Sequence, residues 1–395
     1  MSTTEVFSLG VEEEYQIVDP TSRELDSIAE EVVQEAQKTL GKDVQLEIQL
    51  SQVEVATPVC ASLAEVRNQL TRLRSAVIDA AHVFHKRIAS SGTHPFSLWQ
   101  EQPFTPRARY LALERDYQQL AREQAIFGCH VHVGISQREL GLQIMNQART
   151  WLSPLIALTA NSPFWCGLDT GYASYRIPHW GRWPQSGLPQ HFSSLRDYDN
   201  LLQLLVKTRS IDDPTKIYWD IRLSERYPTV EVRIADVCLT IDEAVMATAL
   251  IRALIRACHE QVIQGQQAEP IRMELLRMAH WRAARYGLEG DLLDVHMQET
   301  VPAPVMIERF LTFLRPSLEA SDDWQEVSTL IQKTLREGNG AMRQRRIYRQ
   351  RQELRDVVDY IVQETAEGTL RSPIDPSIYQ YINPGLSGGA ESNPM

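Results

Sequence analysis

Cysteine is scarce and unpatterned. The five residues Cys60, Cys129, Cys166, Cys238 and Cys258 form no C-x-x-C pair and no metal-finger spacing. That argues against a disulfide framework and a zinc ribbon, and leaves buried, reduced thiols, because free cysteine packs as a small hydrophobe. An excess of basic residues is missing too. With a formal net charge of −11, nonspecific nucleic-acid binding has no electrostatic support, so an anionic substrate requires local arginines or metal ions. No run approaches the roughly 18 apolar residues of a membrane span, and Met1 to Glu5 lacks the basic and apolar segments of a secretion signal. The expectation is a cytoplasmic protein with neither membrane nor nucleic-acid partners.

Repeats and Gly-, Ser- or Pro-rich linkers are also lacking, so one domain is expected over 1–382, with a disordered tail from Asn383 to Met395. What is present is ample material for a core: 395 residues, 43% of them apolar. Helical periodicity predicts helices over Asp26–Leu40, Ala61–Ser90, Tyr110–Gln124, Gln137–Ala160 and Leu195–Thr208. From Ile241 onward the pattern is mainly helical, through Ile241–Gln264, Pro270–Arg285, Ala303–Leu318, Asp322–Arg336 and Gly340–Glu364. Between them, Asn161–Gln190 has no period but is rich in glycine, proline, aromatics and arginine. A loop of that length in a compact domain is functional or disordered, and its aromatics argue against disorder.

The strand candidates carry the chemistry. Successive side chains of a strand point to opposite faces. In Phe7–Val18, Phe7, Leu9, Val11, Tyr15 and Ile17 share one face and Glu12, Glu14 and Gln16 the other, with Glu13 left on the apolar side as a strand end or a paired carboxylate. In Ala125–Ile135, His130 and His132 oppose Phe127, Cys129, Val131 and Val133. Asp220 and Arg222 stand opposite Ile217, Trp219, Ile221 and Leu223, and Glu231 and Arg233 oppose Val230, Val232 and Ile234. In Val44–Thr57 the alternation changes phase between Leu50 and Val53, which a bulge or break near Ser51 produces; the flip brings Glu47 and Glu54 to one side.

One-sided strands ordinarily mean an antiparallel sheet with a solvated face. A solvated face is rich in Lys, Thr, Ser and Gln, whereas these faces carry carboxylates, imidazoles and arginines and no lysine. Like charges about 4 Å apart repel by about 1 kcal/mol even in water, so converging carboxylates call for cations. Carboxylate oxygens with an imidazole suit magnesium or manganese better than zinc, and several carboxylates around metal ions point to phosphoryl chemistry on a nucleotide.

At these residues the chain resembles a known family. The segments SLGVEEEYQIVD, SQVEVATPVC, GTHPF, FGCHVHVG, ASYR, RWPQSGLP, WDIR, TVEVRIADVCLT and WRAARYGLEGDLLD, from Phe7 to Asp294, are together similar to those of the YbdK-type carboxylate-amine ligases. These are the glutamate-cysteine ligase type 2 family within the glutamine-synthetase-like superfamily. The resemblance implies metal ligation by Glu12, Glu14, Glu47, Glu54, His130 and Glu231, and contact of Arg233 with a transferred phosphoryl group. Glu231 and Arg233 are then the catalytic pair. It implies Mg2+ (or Mn2+) and ATP, an acyl-phosphate formed on a substrate carboxylate, and displacement of phosphate by an amine, as in glutamate–cysteine ligation.

Arg176, Arg222, His132, Arg282 and Arg285 are the candidates for substrate or phosphate contacts. Arg176 has a structural ion pair as its alternative, and Arg282 and Arg285, three apart on a helix, can address one neighbour. Thr93 and His94 in GTHPF fit a cap or turn, and Arg343–Arg351 a solvated helix face or a homodimer contact. The chain departs from the family at His280, where asparagine is common, and at Ile177, Pro178 and His179. The expected fold is α+β: a curved, mostly antiparallel sheet with helices packed on one face, of glutamine-synthetase-like type. A two-metal phosphohydrolase, or an inactive nucleotide- or amino-acid-binding protein on the same fold, would use the same acidic face.

Overall fold

The computed structural model describes residues 6–370; the expected tail from Asn383 lies outside them. Seven strands form the main sheet: β1 (Leu9–Val18), β2 (Val44–Leu46), β3 (Gln52–Ala56), β4 (Arg87–Ala89), β5 (Gly128–Gly134), β6 (Ile221–Leu223) and β7 (Thr229–Asp236). Their order is β6-β7-β5-β1-β3-β2, with β4 paired to β1. Every pairing in this sheet is antiparallel.

One face is covered by helices. Leu9, Val11, Val131, Val133, Val230 and Val232 share a core with the helix Ile241–Ile263. That helix is buried around most of its circumference and begins with a Thr240–Glu243 capping box. Farther along the sheet, Tyr15, Ile17, Val53 and Val55 pack with Leu73 and Val77 of the helix Leu63–Val83 and with Val32 and Val33 of the helix Ala29–Leu40. Each such apolar side chain contributes about 1.5–3 kcal/mol when fully buried.

Glu13, which breaks the β1 pattern, enters this core fully buried as half of an ion pair. Arg74, also fully buried, forks onto both its carboxylate oxygens and donates to the carbonyls of Leu239 and Cys238 at 3.0 and 2.8 Å. Tyr15 donates its hydroxyl to the same carboxylate. The charge is therefore matched rather than solvated.

The phase change in Val44–Thr57 is a chain reversal rather than a bulge. Strands β2 and β3 pair antiparallel, with Gln45 opposite Glu54, and Glu47 lies in the connection. A hairpin and a bulge shift the alternation alike, so periodicity alone does not separate them. Four expected helices are also divided, Gln137–Ala160 by a 3-10 turn at Arg149–Trp151 and the other three by residues of positive φ. Ala61–Ser90 ends at Val83, after which His85 takes φ +57° and the chain enters β4. Tyr110–Gln124 is broken at Gln118 (φ +49°) and Gly340–Glu364 at Gln352 (φ +59°). Single left-handed residues of this kind end a helix without a proline or glycine to announce them. No helix among the described residues is long and apolar enough to cross a membrane. The cysteines are all free, and only Cys166 is not buried.

Candidate active site

The polar face of the sheet floors a cavity of about 450 Å³. Strand register explains why its charged groups meet: Arg222 lies opposite Glu231, Glu231 opposite His132, Glu12 opposite His130, and Glu14 opposite Glu54. Directly opposed residues have Cβ atoms about 4.5–5.5 Å apart. Glu12, Glu14, Glu47, Glu54, His130, His132, Arg176, Arg222, Glu231 and Arg233 all line the cavity.

Its two halves differ in charge balance. In the first, Arg222 binds Glu231 bidentately at 2.8 and 3.1 Å, and Arg233 donates to the same carboxylate. Burial raises the Glu231 carboxyl, but Arg233 and Arg222 outweigh it and hold it well below the usual range. Glu12 meets His130 Nδ1 at 3.1 Å and His132 Nε2 at 3.4 Å. Burial pushes its carboxyl up, and the two imidazoles bring it well below normal. His130 itself falls to about 4, through burial first and the charge of Arg233 second.

The second half has too few cations. Burial, followed by the charge of Glu47, lifts Glu14 to about 7. Burial lifts Glu54 well above the usual range, with Glu47, Glu12 and Glu14 adding to it. Glu47 is raised by burial despite hydrogen bonds from Tyr110 (3.0 Å) and with Glu54. Buried carboxylates that repel one another in this way fit a bound divalent cation, whose charge relieves the repulsion. Among the described residues, Glu12, His132 and Glu231 each offer a donor atom within 4.8 Å of the others. Each imidazole thus faces two carboxylates: His130, the expected imidazole ligand, lies between Glu12 and Glu14, and His132 between Glu12 and Glu231. Magnesium or manganese is expected to raise Tm by several degrees through preferential binding to the folded state. Glu54→Gln should lose most of that rise without lowering Tm in chelator. Equal metal-induced shifts in both proteins would contradict the site.

The long loop supplies a wall. Its short helix Arg176–Trp180 carries Arg176, which is buried and has Nε and Nη1 without hydrogen bonds; its Nη2 donates to Arg233 O at 3.2 Å. A Cβ on Gly128 would collide with this guanidinium, so glycine there makes room for it. Trp180 and Trp183 pack with Tyr218, ring centroids 5.3 and 5.8 Å away, and the Arg233 guanidinium lies 5.9 Å over Trp180. Of the atypical residues, His179 turns away to bond Glu123 O at 2.8 Å. His280 Nδ1 lies 3.5 Å from Asp220, and neither residue lines the cavity.

Arg282 and Arg285 are not brought to the cavity. Arg282 donates to Asp291 O, Arg285 to Gly171 O, and both guanidinia stack on Tyr286. His94 accepts backbone N–H groups from Phe96 and Ser97 and bonds Arg23 O, which makes GTHPF a structural turn. In the basic run, Arg343 pairs with Glu243 and Glu364, Arg345 with Asp169, and Arg351 with Asp356; these are intramolecular pairs.

The model of glutamate-cysteine ligase family 2 (GCS2) matches residues 8–370. The chain belongs to this family. A Rhodopirellula baltica relative, provisionally named glutamate–cysteine ligase 2, is 43% identical over 93% of this chain and 99% of its own length. One from Solibacter usitatus with the same provisional name is 38% identical over 91% and 94%. Among solved structures, a Francisella tularensis glutamate–cysteine ligase in complex with AMP superposes with TM-score 0.71 at 12% identity, over 97% of this chain and 93% of that one. A bifunctional glutathione synthetase from Pasteurella multocida gives 0.68 at 17%, over 91% of this chain and 53% of that one. At these identities the two structures show a shared fold.

In this family 2 chain several cavity residues had no sequence signal. Arg107, Arg109, Tyr110 and Gln124 line the cavity from a helical segment and a turn, where no alternation marks a face. Both side-chain polar atoms of Gln124 are buried without a hydrogen bond. Trp180 and Trp183 had a weak signal, the aromatic content of their loop.

Proposed function

We propose that the protein is a magnesium-dependent ligase that uses ATP to join a carboxylate, glutamate foremost, to an amine such as cysteine. The observation that carries this is the cavity itself. Six metal-suited donors, Glu12, Glu14, Glu47, Glu54, His130 and Glu231, stand beside Arg233 and Arg176, in a chain of the glutamate-cysteine ligase family. Those six, with His132, would hold more than one divalent cation between them, and the cations would neutralise phosphoryl oxygens. Glu231 serves as ligand and as the counter-charge that aims Arg233. Arg222, already committed to Glu231 and to the carbonyls of Thr215 and Ile217, orients that carboxylate rather than substrate.

In the first step a substrate carboxylate oxygen attacks the γ-phosphorus of ATP, forming the acyl-phosphate as the bond to ADP breaks. Hydroxide is a poor leaving group from a carboxylate and phosphate a good one, so this step makes the carbonyl displaceable. In the second, the amine nitrogen attacks that carbonyl, phosphate leaves, and the amine proton passes to solvent or phosphate. Arg233 stabilises charge on the phosphoryl oxygens. Arg176, with two unused buried nitrogens, takes a carboxylate of the substrate. A cytoplasmic location, where ATP and free amino acids meet, and a homodimer complete the proposal.

Purified protein with magnesium and ATP is expected to release ADP only when glutamate and an amine are both supplied. ADP release that no acid and amine pair stimulates, or cleavage of phosphoesters without ATP, would contradict the reading.

A further inference from the structure

Strand β7 carries Glu231 and Arg233 into the cavity and then changes register. Val232 pairs with Val131, but the next paired residue is Ala235, opposite Cys129. Three steps along β7 match two along β5, so one extra residue is inserted, as in a bulge. Without it, alternation would turn Asp236 toward the helix-packed side. With it, Asp236 lies opposite Gly128 and shares the face of His130 and His132. Gly92 leaves the room this requires: a Cβ there would come within 2.8 Å of Asp236 Cγ.

The Asp236 carboxylate is buried, does not line the cavity, and accepts three hydrogen bonds. All come from the long loop: Asn161 N–H at 2.8 Å and Ser162 Oγ at 2.7 Å on one oxygen, and Ser174 Oγ at 2.8 Å on the other. Ser162 Oγ in turn accepts the backbone N–H of Arg176 at 3.1 Å. A buried carboxylate with only donors around it holds them in charge-assisted bonds, stronger and shorter than neutral ones.

We infer that Asp236 is a positioning residue for substrate binding: it ties the strand bearing Glu231 and Arg233 to the loop bearing Arg176, and so sets where Arg176 grips the substrate carboxylate. The inference rests on the ligase reading for the substrate's identity, but not for the tether. Asp236→Asn keeps the size and replaces one accepting oxygen by a donor. It is expected to raise KM for the acid about tenfold, with kcat and KM for ATP within about twofold. Hydrogen exchange should rise in residues 161–176 and stay unchanged in β5. In an Arg176→Lys background the same change should add less than about twofold, because both act through one contact.

A fall in kcat with acid KM unchanged, unaltered exchange in the loop, or full multiplication of the two effects would overturn the inference. Ser162→Ala removes the relay between Asp236 and the Arg176 amide, leaves Asp236 its bonds from Asn161 and Ser174, and carries the same expectations should Asp236→Asn fail to fold. If no acid stimulates ADP release by the unaltered protein, the ligase reading fails, and the exchange measurement by itself decides the role of Asp236.

Discussion

Glu231→Gln is expected to lower acid- and amine-dependent ADP release by on the order of a thousandfold. Three effects combine. The amide is a weaker cation ligand than the carboxylate, and it stands in a close cluster of donors, with Glu12 and His132. It also releases Arg233, whose Nη1 the carboxylate now holds, from its aim at the phosphoryl group. Finally, Arg222 and Arg233 are left facing a neutral side chain in a buried setting, where removing one partner of a charge pair costs about 3–5 kcal/mol. Loss of fold and loss of chemistry are separated by assaying at a temperature where circular dichroism shows the variant folded. Glu231→Asp, which keeps the charge, should recover part of the rate. A folded Glu231→Gln protein with activity within about tenfold of the original would remove Glu231 from the site.

The second large effect concerns stability. Arg74→Met is expected to destabilise the protein by about 3–5 kcal/mol, read from urea midpoints at constant slope. Glu13 would remain as an uncompensated charge in a fully buried position, the Leu239 carbonyl would lose the guanidinium donor, and the Cys238 carbonyl would keep only Ser90 Oγ. The double variant Arg74→Met with Glu13→Leu removes both charges, and should recover at least half of the loss even though the Leu239 carbonyl is still without the guanidinium donor. A single variant within about 1 kcal/mol of the original protein, or a double variant as unstable as the sum of both single ones, would contradict a paired core charge.

Glu13 also shows what could be read from the residues alone. Strand alternation located Glu12, Glu14, His130, His132, Glu231 and Arg233 on one face because a strand's period is a local property. The same rule flagged Glu13 as an exception, but its partner Arg74 is 61 positions away on a helix, and no local pattern connects the two. The hairpin at Glu47–Ser51 was legible as a change of phase and illegible as a reversal, since both leave the same trace. Arg282 and Arg285 do share a neighbourhood, as their spacing implies, yet the neighbours are Tyr286 and Gly171 rather than the cavity. Helical spacing fixes which residues share a face and is silent on what the face meets. Arg107, Arg109 and Gln124 enter the cavity from elements without alternation. Asp236 reaches its position only through the register shift in β7, which the uninterrupted pattern of Val230, Val232 and Ile234 conceals.

The central claim is that this acidic, arginine-lined cavity activates a carboxylate as an acyl-phosphate. Hydroxylamine is a small nucleophile that converts an acyl-phosphate to a hydroxamate, whatever the natural amine. With magnesium, ATP, glutamate and hydroxylamine, the protein is expected to form the glutamyl hydroxamate and ADP in equal amounts, and Arg233→Met to form neither. ADP formed with no hydroxamate from glutamate or any other acid offered would contradict the account.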